Sequence, residues 1–390
     1  MSIFKRENVQ RLLLLAGSFI FAVLVLELLG LARTLDYRSL IGAAPHDVFS
    51  DTNLTDPELL HIHPPHSHFS GEARGGNFSL NFRIPSSDIT DYRWDVNYDQ
   101  HGFRNDMDLK NADIVAIGDS FVESTATPTA QLTTSLLAHL QGKVVANLGQ
   151  YGYGPLEELA VLRRYGLPLQ PRTVLWMFFE GNDLKDVIHY DQVTAGRAKP
   201  LSRWSALWDR SFTRTALARL RIEFRLAFKP SGAKLSAVVE APNGETRTVY
   251  FLYPPPSLNR QDLGALDETV SALATAHQLC AAHGARLIFV FIPTKFRAYR
   301  PLCRFPQKSE CRQWGLSDLP ERLQQAVESI SPEIGFLDLT PDLAAGVKRG
   351  ELPYYVDDDH WSPKGHKIAA EAINDYLSAK PVGHPGLEPR

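Results

Sequence analysis

Two short segments, far apart in the chain, carry side chains that together could perform acyl transfer. Gly118-Asp119-Ser120 ends the apolar run Ile114-Val115-Ala116-Ile117, and Asp357-Asp358-Asp359-His360-Trp361 lies near the C-terminus. A serine at the tip of a buried parallel strand stands where open α/β sheets carry their reactive groups. A histidine with a carboxylate three residues before it, His360 with Asp357, could take the serine proton while the acid orients the imidazole. Acyl transfer also needs donors for the developing oxyanion. Asn147-Leu148-Gly149-Gln150-Tyr151-Gly152-Tyr153-Gly154-Pro155 and Glu180-Gly181-Asn182-Asp183 both follow apolar runs and offer a backbone N–H and a side-chain amide. Taken singly, each feature has a plain structural reading. Serine is a favoured helix N-cap, and both glycine-containing segments read as turns.

The elements that must position these residues follow from hydrophobic patterning. Short apolar runs at 113–118, 143–148, 172–179, 286–292 and 334–339 alternate with helical periodicity near 129–141, 155–165, 264–283, 318–330 and 363–379. Runs that are apolar throughout suit strands buried on both faces. Their alternation with helices predicts a three-layer α/β/α sandwich around a mostly parallel central sheet, spanning 113–380. Residues 184–262 interrupt the alternation and are too long for an ordinary loop. Within them, 203–228 has helical periodicity and carries Trp204, Trp208, Phe212, Phe224 and Phe228 among arginines. It reads as a lid over its own domain, with docking on a membrane surface as the alternative.

Leu12 to Ala32 is apolar apart from Glu27, and as a helix would be roughly 31 Å long, about the thickness of a bilayer core. Lys5, Arg6 and Arg11 precede it, which sets residues 1–11 in the cytoplasm and the rest outside it. An uncleaved single-pass anchor over 12–32 is expected, with a cleaved signal as the rival. Glu27 reads as snorkelling toward the interface, or as a contact with a partner helix. Residues 33–112 are rich in Pro, His, Asp, Asn and Ser and read as a stalk and an irregular layer. The alternation in Phe78-Ser79-Leu80-Asn81-Phe82-Arg83-Ile84 suggests a short strand there. Residues 381–390 form a tail.

Composition narrows the classes. With 390 residues and a net charge of −3, there is room for one large α/β domain with accessories and no global reason to expect nucleic acid as a partner. Cys280, Cys303 and Cys311 do not make a disulfide scaffold, although Cys303 and Cys311 could pair in an oxidising space. His61, His63, His66 and His68 form two His-x-His pairs, but no Cys or acidic ligand is spaced regularly with them, so a polar loop is expected and no metal.

Gly118-Asp119-Ser120, the glycine after the second strand, Gly181-Asn182-Asp183 and the late Asp357-x-x-His360 occur in one order, each at a strand end. Over about residues 97–380 this resembles the SGNH (GDSL) hydrolase superfamily in its membrane-anchored bacterial form, whose fold is flavodoxin-like. The resemblance implies Ser120 as nucleophile and first oxyanion donor, Gly152 and Asn182 as the other donors, His360 as base, and Asp357 as its acid. Gly152 is preferred to Gly149 because the family's glycine stands five residues after an asparagine, here Asn147. Asp358 is the alternative acid, through the Asp-x-His-Trp pattern of the related alginate O-acetyltransferases. Glu180 departs from the family, standing where its first block-three glycine would be. The resemblance implies no cofactor or metal. It implies a periplasmic ester hydrolase acting on short-acyl or O-acetyl esters, a carbohydrate among them. An O-acyltransferase with the same residues and a non-catalytic binding protein on the same fold are the alternatives.

Overall fold

The computed structural model describes residues 3–32, 34–35, 37, 53–196 and 211–379. Five strands build the central sheet: β1 (Ile114–Gly118), β2 (Val145–Gly149), β3 (Thr173–Phe179), β4 (Arg286–Ile292) and β5 (Gly335–Asp338). All neighbours are parallel, and the order across the sheet is β2-β1-β3-β4-β5. That order is the flavodoxin-like one, and its switch point lies between β1 and β3. Side chains leave each strand to alternate faces. Val115, Ile117, Trp176, Phe178, Phe289 and Phe291 pack into one core, with the helices Pro155–Val161, Asp183–Thr194, Arg260–Ala282 and Leu319–Ile330. Ile114, Ala116, Met177, Phe179, Val290 and Ile292 pack into the other, with Thr133–Gln141, Thr340–Lys348 and Pro363–Ala379. Each fully buried Phe or Ile contributes roughly 1.5–3 kcal/mol through removal from water. This is the expected three-layer sandwich. The five apolar runs are its five strands.

One segment departs from the expectations. Asn77–Asn81 is a short helix, not a strand. Phe78 and Phe82, four apart, stack at 4.7 Å, and Phe78 also packs on Tyr250 at 4.9 Å. This aromatic pairing at helical spacing outweighs the alternation. Residues 53–112, within the stretch expected as a stalk and an irregular layer, hold short paired strands. Leu54–Asp56 pairs with Leu60–Ile62, and His68–Arg74 pairs antiparallel with Asp91–Asn97. The chain divides into two units, and all of this belongs with the α/β sandwich in the unit comprising Thr52–Gln192 and Pro230–Arg390.

The insertion expected over 184–262 resolves into separate parts. Asp183–Thr194 is a sandwich helix that buries Leu184 and Val187. Ser236–Glu240 pairs antiparallel with Thr246–Tyr250 and with Cys303–Arg304. Val193–Lys229 belongs to the other unit, with Met1–Asp51. There the helix Phe212–Ala227 realises part of the helical segment expected over 203–228; its first eight residues lie outside those described, as do 38–52 of the stalk and the 381–390 tail. The N-terminal helix is Ile3–Leu31, and an 18-residue window within its Asn8–Leu31 stretch has a mean hydropathy of 2.7, enough by length and composition to cross a membrane. Glu27 near its end contacts a helix of the same chain: its carboxylate accepts from Phe212 N at 3.2 Å and Thr213 N at 2.8 Å.

Candidate active site

β1 ends at Gly118, where a Cβ would meet Val122 at 2.5 Å and the Met177 carbonyl at 3.0 Å; only glycine fits. The chain then turns directly into the short helix Ser120–Glu123. Its N-cap is Asp119, whose Oδ1 accepts from Phe121 N at 2.9 Å. Ser120 is therefore released from the capping role that its residue type allows. Ser120 Oγ lies 2.8 Å from His360 Nε2, and His360 Nδ1 lies 2.6 Å from Asp358 Oδ1. Serine, imidazole and carboxylate thus form one continuous hydrogen-bonded line at the C-terminal edge of the sheet.

The acid in that line is Asp358, not Asp357. Asp358 Oδ1 also accepts from the His360 backbone N at 2.8 Å, an Asx turn that folds the carboxylate onto its own loop. Asp357 points away. Its carboxylate accepts from Gly76 N at 2.9 Å, Ser79 Oγ at 2.7 Å and Tyr92 OH at 3.0 Å, fastening the N-terminal layer to the His360 loop. Burial alone would push Asp358 up, but the adjacent imidazole outweighs it and holds the carboxyl at about 2. Burial likewise acts to lower His360, and the Asp358 carboxylate overcomes it, leaving the imidazole above its usual value.

Asn182 begins the turn after β3. Its Nδ2 donates to Asp186 Oδ2 at 2.6 Å and lies 3.4 Å from Asp119 Oδ2, the same oxygen that stands 3.4 Å from Ser120 Oγ. The amide is therefore held toward the serine with one proton committed to Asp186 and the other only loosely engaged. Gly152 sits in the turn after β2 with φ +76°, a conformation glycine adopts freely. That turn is tied to the serine helix, because Tyr151 N donates to Glu123 Oε2 at 2.5 Å and Gln150 N to the Gly118 carbonyl at 3.1 Å. At the other candidate, Gly149, an added Cβ would meet Val122 at 2.4 Å, so that side is already filled by the protein.

Several supporting residues carry no motif. Buried Glu123 also accepts from His63 Nε2 at 2.9 Å and Tyr98 OH at 2.5 Å. His61 Nε2 meets the Tyr151 carbonyl at 2.9 Å, and His68 meets Asp95 at 2.6 Å, so the His-x-His pairs go to separate partners. Among the described residues no three His, Cys, Asp or Glu side chains converge as metal ligands would. Lys295, three residues past β4, is buried and donates to the carbonyls of Tyr355, Val356 and Asp358 at 2.7, 2.8 and 3.1 Å. It fixes the loop that carries Asp358 and His360. A lysine just after an apolar strand was its only sequence signal.

Glu180 is buried, and its carboxylate accepts from Arg297 Nε at 2.8 Å, Arg297 Nη2 at 2.6 Å and Thr294 N at 2.9 Å. A side chain in place of the family's glycine thus clamps the ends of β3 and β4. Glu180→Gln should cost about 3–5 kcal/mol in denaturant unfolding, because it leaves the Arg297 guanidinium buried without its counter-charge. A loss below about 1 kcal/mol, the surface-pair range, would remove the clamp from the account.

Beside Asn182 opens a cleft of about 630 Å³, within the range of small-molecule sites. Pro254, Pro256, Trp314, Lys185, Asn259 and Asp262 are among its lining residues.

Residues 252–388 match the family model of the SGNH hydrolase-like domain of the acetyltransferase AlgX, so the chain carries an SGNH hydrolase-like domain. That stretch includes Asp358 and His360; Ser120, Gly152 and Asn182 precede it. No curated protein matches the sequence. Solved structures similar to this chain include a GDSL-like lipase from Bacteroides thetaiotaomicron, at 14% identity, covering 68% of this chain and 87% of that one, with a TM-score of 0.33. A catalytic mutant of an acetylxylan esterase from Geobacillus stearothermophilus is 14% identical over 70% of this chain and 94% of that one, with a TM-score of 0.35. A carbohydrate esterase family 2 enzyme from Corynascus thermopiles is 11% identical over 75% and 70%, with a TM-score of 0.35. Likenesses of that size do not fix an activity.

Proposed function

We propose that the chain is a membrane-anchored serine ester hydrolase whose catalytic triad is Ser120, His360 and Asp358. The observation that carries this is the unbroken Ser120–His360–Asp358 line, 2.8 Å then 2.6 Å. Ser120 Oγ attacks the ester carbonyl carbon as its proton passes to His360 Nε2. The tetrahedral oxyanion accepts from an oxyanion hole made of Ser120 N–H, Gly152 N–H and Asn182 Nδ2. Collapse expels the alcohol, which takes the proton from His360, and leaves an acyl-enzyme. Water, activated in turn by His360, releases the acid. No metal or cofactor enters these steps.

The substrate class is a short-acyl ester, O-acetyl groups on a cell-envelope or exported polysaccharide included. Lys5, Arg6 and Arg11 ahead of the apolar run Leu12 to Ala32 support a periplasmic domain anchored to the inner membrane by that run. A second reading is favoured by the AlgX family match and by Asp358-x-His360-Trp361: a sugar hydroxyl replaces water, and the protein is an O-acyltransferase. Both readings share the acyl-enzyme. Brief incubation with p-nitrophenyl acetate, acid quench and peptide mass analysis should find one acetyl group on the peptide carrying Ser120. Its absence from protein that still turns over the ester would end both readings. Adding an acetylated oligosaccharide as donor and a bare one as acceptor then separates them: acetylated acceptor means transfer, free acetate alone means hydrolysis.

A further inference from the structure

The helix Phe212–Ala227 has two faces with different company. Its first turn is fastened to the apolar N-terminal helix. Ser211 Oγ donates to Glu27 Oε1 at 3.0 Å, Phe212 N and Thr213 N donate to the same carboxylate, and the Phe212 ring meets Tyr37 edge-on at 5.1 Å. Tyr37 OH in turn donates to the Leu26 carbonyl at 2.5 Å. The only acid in the apolar stretch thus serves as a negative charge on the N-terminus of the second helix, where the helix dipole favours it. Beyond that turn, Leu217, Leu220, Phe224 and Phe228 are 52–69% exposed. They are spaced three, four and four residues apart, which puts them on one stripe. Phe224 and Phe228 pack together at 4.4 Å on that stripe, and exposed Arg221 flanks it.

Position along the first helix says what covers the stripe. The apolar run Leu12 to Ala32 is roughly 31 Å as a helix, about the thickness of a hydrocarbon core. Glu27, five residues from its end, therefore lies within roughly 8 Å of the outer boundary between acyl chains and headgroups. The second helix starts at that level, with an apolar stripe and basic residues beside it. We infer that Phe212–Ala227 is an interfacial helix, that its Leu217, Leu220 and Phe224 and the C-capping Phe228 enter the acyl–headgroup boundary, and that Arg221 meets anionic phospholipid headgroups. Amphipathic basic helices bind bilayer surfaces through this combination of buried apolar area and headgroup attraction. Glu27 is then a joint that holds two membrane elements together.

The test uses the full chain in nanodiscs, with the environment-sensitive fluorophore NBD attached to Leu220→Cys, Phe224→Cys or Ala218→Cys and the unsubstituted chain labelled in parallel as background. In discs of phosphatidylcholine and phosphatidylglycerol, NBD at 220 and 224 should emit at shorter wavelength than at 218. It should lose most of its intensity when lipids spin-labelled near the headgroup are included. Arg221→Glu, combined with the 220 label, should reduce the shift in these discs and leave it unchanged in phosphatidylcholine alone. A water-like emission at 220 and 224 overturns the inference. So does a blue shift without quenching by the labelled lipids, which would mean that the stripe is covered by protein. An Arg221→Glu effect equal in neutral and anionic discs overturns the assignment to anionic headgroups.

Discussion

Ser120→Ala should abolish short-acyl ester hydrolysis, lowering kcat by about 10⁶-fold, the scale seen when a triad nucleophile is removed. That corresponds to roughly 8 kcal/mol of transition-state stabilisation. The fold should hardly notice. Asp119, not Ser120, caps the short helix, and the Ser120 side chain contacts only His360 closely, at 2.8 Å. A hydrogen bond of that kind is worth about 0.5–1.5 kcal/mol net, and alanine is a good helix residue. Activity and stability therefore separate in this variant. Turnover of p-nitrophenyl acetate and thermal unfolding, measured on the same preparation, check both halves. Turnover close to that of the unsubstituted protein would remove Ser120 from the chemistry. An unfolded variant would show that the serine is structural after all. The residual rate of a folded Ser120→Ala protein also reports on Asn182 and Gly152, because oxyanion stabilisation outlasts loss of the nucleophile.

The parts of this molecule that were legible in its sequence are those governed by local pattern. The five strands follow short apolar runs; residues 174–179 are apolar at every position because both faces are covered, as suits a central strand of a parallel sheet. Ser120, Asn182 and His360 could be placed because each follows or precedes an element visible as a pattern. What escaped depends on contacts between distant segments. Asp357 and Asp358 are adjacent, of one type and both buried, and nothing local tells them apart. They are told apart by contacts more than 260 residues upstream: Gly76, Ser79 and Tyr92 claim both oxygens of Asp357, whereas Asn77 N takes only Oδ2 of Asp358 and leaves Oδ1 to His360. The same long reach explains why the pattern of residues 33–112 shows only a stalk and an irregular layer: within it, His63, Ser79, Tyr92 and Tyr98 are tied to Glu123 and Asp357 by hydrogen bonds that no local pattern announces. Phe212–Ala227 carried two readings because its amphipathic pattern says only that one face is covered. Glu27 was the missing term, and its carboxylate is tied to residues 184 and more positions away.

The exchange of roles between the two aspartates makes the sharpest comparison. Asp358→Asn should lower kcat by about 10⁴-fold, as loss of the orienting acid does when the imidazole loses its tautomer and its counter-charge. An amide at that position can still accept from the His360 backbone N, but its NH₂ would face Asn77 N, which donates to Asp358 Oδ2 at 2.8 Å, so about 1–3 kcal/mol of stability should be lost as well. The pH profile supplies a second readout. Asp358 holds His360 above its ordinary value, so the basic, proton-accepting imidazole exists only above that raised value, and the acidic limb of kcat/KM lies there. Removing the carboxylate lowers the imidazole, and the limb of the residual activity should move to lower pH. Asp357→Asn should behave in the opposite way. Its carboxylate faces donors only, from Gly76, Ser79 and Tyr92, so the amide turns an NH₂ toward one of them. The cost is about 1–3 kcal/mol for the buried group left unsatisfied, visible in unfolding, with the position of the pH limb unchanged. If the two variants exchanged behaviours, with Asp357→Asn taking the large fall in kcat and the displaced limb, the acid would be Asp357, as the spacing alone had suggested. A small loss in both would mean that His360 finds its orientation elsewhere, and the 2.6 Å contact to Asp358 would carry no catalytic weight.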